Sequence, residues 1–230
     1  MVQSAQLGDR RTSVDDVFDF LFQEISDLRL RPGDKISEAD IASRFGVSRQ
    51  PVRDAFSRLA NLDLLLIRPQ RATEVKRFSM REIEKSRFVR ASVEMEVLRR
   101  AARLCDGVNA AQLDASLMQQ RAVMEAGDFD AFGALDYEFH KTLCAIAQVD
   151  FAFDVIMAEK SKVDRLCVLG LAKESRMPEL IDDHQAIAEA VKAHDPDTAV
   201  KAGSLHLSRL DETIERISRD NANYFEPEGR

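Results

Sequence analysis

The chain has 230 residues, which fits one large domain or two ordinary ones, with nine Gly, six Pro and no Trp. No proline falls between Pro69 and Pro178, which argues against a turn-rich β-sandwich or barrel and for a mainly α protein. A composition that is 45% apolar allows a buried core, and the net charge of −7 argues, over the whole chain, against a nucleic-acid coat or a polybasic membrane binder.

No run of 18 apolar residues is present, so no transmembrane helix is expected. The first eleven residues lack an apolar signal segment. Cys105, Cys144 and Cys167 match no zinc-ribbon or CxxC spacing, and they read as free buried thiols of a cytoplasmic protein.

Charge divides the chain. Residues 1–77 carry 13 basic and 12 acidic side chains, and residues 78–230 carry 20 and 28. Within the first part, residues 44–77 hold eight basic and three acidic side chains. The expected organisation is a loose arm (1–12), an N-terminal domain (13–77), a helical domain (78–220) and a tail (221–230).

Val14, Val17, Phe18, Leu21, Ile25 and Leu28 recur at helical spacing, predicting a first helix over about 14–30. Pro32-Gly33 ends it. Ser37, three residues before Asp40, opens a short helix with Ile41, Ala42 and Phe45 on its apolar face. Gly46 closes that helix. Ser48 caps a third helix, whose buried stripe is Val52, Ala55, Phe56 and Leu59. Arg49, Gln50, Arg53 and Ser57 stay on its other side. Residues 64–68 and 73–77 read as a hairpin with Arg71 near its tip. Two short helices joined at a glycine form a helix-turn-helix, whose second helix can present Arg and Gln to base edges in the major groove. The same pattern also fits a helical cap with solvated arginines.

Residues 30–75 resemble the winged helix-turn-helix of GntR-family transcriptional regulators, through Pro32, Gly33, Glu38, Ala42, Gly46, Val47, Ser48, Arg49, Pro51, Val52, Arg53, Ala55 and Leu59. The resemblance implies that Arg49 and Arg53 contact DNA, with Ser48, Gln50 and wing-tip Arg71 assisting. Two departures stand out. Asp63 and Ala72 occupy places where the family usually has glycine; Asp tolerates a left-handed backbone, whereas Ala72 implies a different wing turn.

Beyond residue 78, helices are predicted over about 80–105, 109–126, 128–147, 150–170, 178–193 and 196–219. In the third of these, Asp136 and His140 share the face of Phe132, Leu135, Phe139 and Leu143, one turn apart. His184 and His206 also fall within apolar stripes, whereas His194 sits at a helix end. An unpaired buried carboxylate is costly. Asp136, His140, His184 and His206 could share one divalent cation: zinc first, with nickel, manganese or iron also suited to imidazole and carboxylate. A His–Asp hydrogen-bond network is the other reading.

Most of residues 80–219 resembles the FadR-type effector domain called FCD. The resemblance implies that Asp136, His140, His184 and His206 bind one metal, and that a small carboxylate effector binds beside it. Arg90 occupies the place of the family's arginine in Val89-Arg90-Ala91-Ser92-Val93-Glu94. It suits a carboxylate fork, or equally an i,i+4 pair with Glu94. Arg87 reads as solvated or structural. The function expected is a homodimeric, metal- and ligand-responsive DNA-binding regulator, a repressor, acting on a palindromic operator in double-stranded DNA without membrane contact. The alternatives are a metalloenzyme with a three-His, one-Asp centre, against which stands the lack of a candidate nucleophile, and a purely structural metal.

Overall fold

The computed structural model describes residues 12–167 and 173–227. Most of the expected arm, the helix stop at Gly170 and the last three residues of the expected tail lie outside them. The described chain is mainly α-helical with one small antiparallel sheet, and it divides into two compact units.

The first unit runs to Ser79 and includes the chain from Asn223 onward. Helix α1 (Ser13–Ser26) begins at Thr12, whose hydroxyl accepts from the Asp15 N–H while Asp15 reaches back to the Thr12 backbone, a complete capping box. It ends four residues before the expected position. Leu28 adopts a left-handed φ of 57° and the Leu30 N–H returns to the Glu24 carbonyl, a C-cap made without glycine. Helices α2 (Glu38–Phe45) and α3 (Arg49–Asn61) flank Gly46, whose φ is 63°. Ser37 caps α2 as its sequence predicts. Val17, Leu21, Ile25, Ile41, Val52, Phe56 and Leu59 close the core of this unit.

Strands β2 (Leu65–Leu66) and β3 (Thr73–Val75) form the expected hairpin. A third strand, β1 (Lys35–Ile36), pairs with the other edge of β3, giving the order β1-β3-β2. Its two residues are too few for any alternation to reveal. Asp63 takes the left-handed turn after α3 at φ 62°, and in the wing turn the left-handed residue is Gln70, at φ 58°. The left-handed residue thus stands two places before Ala72, the different wing turn that Ala72 implies.

The second unit, Met80–Ala222, is an all-α bundle. It consists of α4 (Met80–Leu104), α5 (Gly107–Glu125), α6 (Phe129–Ile146), α7 (Phe151–Cys167), α8 (Lys173–Lys192), α9 (Pro196–Ser208) and α10 (Asp211–Asp220). The predicted final helix is two, parted at Arg209-Leu210, where no Gly or Pro announces a break. Val97, Leu98, Leu113, Phe139, Leu143, Ile156, Ile187 and Val191 belong to its central core. Gly203 is where α9 meets α4: a Cβ there would collide with Leu98 Cδ1 and crowd Met95 Cε. That close approach brings His206, one turn further on, beside α4. His194, at φ 56° after α8, binds the Ala102 carbonyl through Nδ1 at 2.9 Å, so it ties α8 to α4 rather than serving the site. Arg87 forms an ion pair with Asp211, joining α4 to α10.

Residues 223–227 of the segment read as a tail pack within the first unit. The Phe78 N–H donates to the Tyr224 carbonyl and the Glu226 N–H to the Phe78 carbonyl, while the Phe78 and Phe225 rings lie 5.5 Å apart. Arg77 fastens the same place, with Nε on the Asn223 carbonyl and Nη1 on Glu74. The chain therefore passes between the units twice, at Ser79/Met80 and at Ala222/Asn223.

Candidate functional site

Two constellations carry the chemistry, one in each unit. In the first, Ser48 is the N-cap residue of α3, with an extended backbone and no side-chain cap hydrogen bond. Arg49, Gln50 and Arg53 follow it, all exposed. Val52, Ala55, Phe56 and Leu59 bury the opposite face. Arg53 Nε donates to Glu38 Oε2 at 2.8 Å, and Gln50 Nε2 to Asp54 Oδ1 at 2.9 Å, which holds both side chains along the helix surface. Arg58 faces the other way: it bonds Asp15 and stacks on the Phe18 ring. Arg71 is exposed in the wing turn. Helix N-terminal amides add partial positive charge at this end of α3.

In the second unit, α6, α8 and α9 bring Asp136, His140, His184 and His206 together. One possible ligand atom from each lies within 4.8 Å of all the others. All four side chains are buried, His184 completely. The His184 and His206 ring centroids are 4.8 Å apart, those of His140 and His206 5.5 Å. Phe139 stacks on His184 at 4.3 Å and closes one side. His140 Nε2, His184 Nε2 and His206 Nδ1 are buried without a hydrogen-bond partner. An unsatisfied buried polar atom costs about 1–3 kcal/mol, so three together call for a shared acceptor of lone pairs. A divalent cation fits this donor set.

Side chains from other elements surround these four. Glu94 on α4 sets Oε2 3.1 Å from His140 Nδ1, while its Oε1 accepts from Arg90 Nε at 2.5 Å. Gln120 on α5 sets Oε1 2.7 Å from His184 Nδ1. Lys160 on α7 lies 3.3 Å from Asp136 Oδ2 and over the Tyr137 ring. Asp183 on α8 lies 3.7 Å from His206 Nδ1 and binds Arg209. Sequence reasoning named Arg90 and missed Glu94, Gln120, Lys160 and Asp183 as neighbours of the cluster. A signal existed for Glu94: Ser86, Arg90 and Glu94 interrupt the inward stripe that Ile83, Val97 and Ala101 continue.

Electrostatics follow from burial and these pairings. Burial alone would raise the carboxyl pKa of Glu94, but Arg90 and His140 outweigh it and hold the group below its usual range. Asp136 behaves alike, with Lys160 and His140 overcoming burial. Burial pushes His184 well below the ordinary histidine value, reinforced by His206 and opposed by Asp136. His206 is lowered too, again by burial first, with Asp183 opposing. Cys144, buried nearby, has its thiol pushed up to about 12 and is inert.

The metal-free chain should therefore lose stability in acid in two stages. Below about pH 6.5 the unfolded chain protonates His184 and His206 while the folded core refuses the proton, so stability falls with falling pH. Below about pH 4.5 the unfolded carboxyls of Glu94 and then Asp136 protonate first, and stability falls again. Urea midpoints measured from pH 8 to pH 4 should decline in that order; a flat profile between pH 7.5 and 5.5 would contradict the neutral, buried state of the two histidines.

Residues 13–75 match the model of the bacterial regulatory proteins of the gntR family, and residues 87–209 match that of the FCD domain. Over 228 residues the chain is 34% identical to the HTH-type transcriptional repressor RspR of Escherichia coli (strain K12), covering 99% of this chain and 100% of that one. The chain belongs to the GntR family and carries an FCD domain. This GntR-family chain is a DNA-binding transcriptional regulator, not an enzyme, and the metalloenzyme alternative falls with that. A probable D-xylose utilization operon transcriptional repressor of Paenarthrobacter nicotinovorans is 28% identical over 86% of this chain and 87% of its own. Among solved structures, E. coli McbR/YncC shares the fold at 18% identity, with a TM-score of 0.63 over 90% of this chain and 98% of that one. Among the described residues no helix is long and apolar enough to cross a membrane.

Proposed function

We propose that this GntR-family regulator is a cytoplasmic repressor that holds one divalent cation, zinc in the first instance, on Asp136, His140, His184 and His206. In this reading a small carboxylate effector binds at the same place. The observation that carries the proposal is that Asp136, His140, His184 and His206 each offer a ligand atom within 4.8 Å of the others, with His140 Nε2 and His184 Nε2 buried and lacking a hydrogen-bond partner. The cation would supply Lewis acidity and positive charge in a buried setting, which suits an anionic oxygen ligand. Arg90 stands beside His140 through Glu94 and is the protein's own cation toward the effector's carboxylate.

On the DNA side, Ser48, Arg49, Gln50 and Arg53 read the major groove and Arg71 follows the backbone from the wing. A pair of chains on a palindromic operator matches helix-turn-helix geometry. Effector binding changes operator affinity only to the extent that it favours one arrangement of the dimer over another. Repression as the mode of action is supported by the names of the two relatives above.

Dialysis against a chelator, followed by elemental analysis and thermal melting, tests the site. The expected result is one cation per chain before dialysis, and afterwards a chain that stays folded at neutral pH but melts at lower temperature. A chain that never carries a cation above trace level refutes the proposal. Complete unfolding on chelation makes the cation structural and removes the case for effector binding at it.

A further inference from the structure

We infer that Glu94 and Gln120 are positioning residues, each fixing the tautomer of one histidine so that His140 and His184 both present an unprotonated Nε2 to the cation. The inference rests on the metal-site reading above and adds the groups that set its ligand chemistry.

A neutral imidazole carries one N–H and one lone pair, and the partner of one nitrogen decides what the other can offer. Glu94 is a carboxylate and can only accept, so the His140 Nδ1 at 3.1 Å from its Oε2 must carry the proton. Arg90 on the same helix pins the other carboxylate oxygen. In the structure Gln120 turns its Oε1 to His184 Nδ1 at 2.7 Å and its Nε2 to Ser116 Oγ at 3.3 Å, one turn back on α5. An amide oxygen only accepts, so in this arrangement the His184 Nδ1 carries the proton. Both rings then turn lone pairs on Nε2 into the cluster; neither atom has a hydrogen-bond partner, although Asp136 Oδ1 stands 3.5 Å from His184 Nε2, as a fellow ligand would. A core built only for stability would have no reason to strand the same nitrogen on two neighbouring rings. His206 differs. Its Nδ1 lies 3.7 Å from Asp183 Oδ2, too far for a hydrogen bond, and Arg209 engages that carboxylate. Two of the three imidazoles are thus set before the cation arrives.

The tautomers are measurable in the metal-free chain at pH 8 by long-range 1H–15N correlation, and both His140 and His184 should carry their proton on Nδ1. Gln120→Met keeps the volume and removes the acceptor. It should release His184 to the other tautomer and lower zinc affinity, read by competition with a chromophoric chelator, by ten- to a hundredfold. Gln120→Glu keeps an acceptor and should retain the wild-type affinity. Wild-type spectra with the proton on Nε2 of His184, or a folded Gln120→Met chain with unchanged zinc affinity, overturn the inference. The wild-type spectrum decides the assignment even where Gln120→Met fails to fold. A wild-type chain that binds no zinc refutes the metal reading instead, while the tautomer measured without metal still judges the lock.

Discussion

A chain carrying both Arg49→Ala and Arg53→Ala should lose operator binding in a gel-shift assay while its helical circular dichroism stays that of the wild type. Each arginine that forks onto a guanine edge or holds a phosphate contributes about 1–3 kcal/mol, so the pair is worth on the order of several hundredfold in affinity. The fold should not notice. Both residues are exposed, and the buried stripe of α3 is made by Val52, Ala55, Phe56 and Leu59. The Arg53–Glu38 ion pair is solvent-exposed at 55% and 33%, a setting in which such pairs add about 0–1 kcal/mol to stability. Arg58→Ala is the control on the same helix. Arg58 bonds Asp15 and covers Phe18, so its loss should affect stability more than DNA affinity. Wild-type affinity in the double variant would remove α3 as the reading helix.

His184→Ala should lower zinc affinity by about two orders of magnitude and shrink, by about 3 kcal/mol of stabilisation, the rise in melting temperature expected from zinc in the wild type. Structural zinc sites release about 10–16 kcal/mol across four ligands, which makes one ligand worth about 3 kcal/mol. The substitution also strands Gln120 Oε1 and leaves a gap against Phe139, because His184 is completely buried and the two rings stack at 4.3 Å. Some stability is lost even without metal, by about 1–3 kcal/mol from the orphaned amide alone. The difference between melting with and without zinc separates the two effects. A zinc-induced shift of wild-type size in His184→Ala would exclude His184 as a ligand.

The parts legible in the sequence were those in which neighbours in the chain are neighbours in space. Gly46 between two short helices, the buried stripe of α3, and Asp136 with His140 one turn apart all express local periodicity, and the structure places them as the periodicity implies. His184 and His206 could be picked out because a polar residue interrupts an apolar stripe. That they meet Asp136 depends on how α6, α8 and α9 pack, which spacing alone does not specify. The four side chains around them come from α4, α5, α7 and α8, each through a long-range contact; Glu94 and Gln120 left traces as polar residues on the buried faces of their own helices, Gln120 three residues after Leu117. The break at Arg209-Leu210 and strand β1 have no local signature, since tertiary packing sets both. The charge of the whole chain misled for a simpler reason: it averages an acidic bundle with a basic stretch over residues 44–77.

The double passage between the units means that order along the chain is not order by domain. Phe78 is 5% exposed, and Phe225, far along the sequence, lies against its ring. A recombinant fragment that stops at Ser79 would expose that ring and free Arg77 from the Asn223 carbonyl, so excising the DNA-reading half calls for grafting the last few residues back on. For the same reason residues 223–227 belong to the GntR-type half although they follow the FCD domain in the sequence.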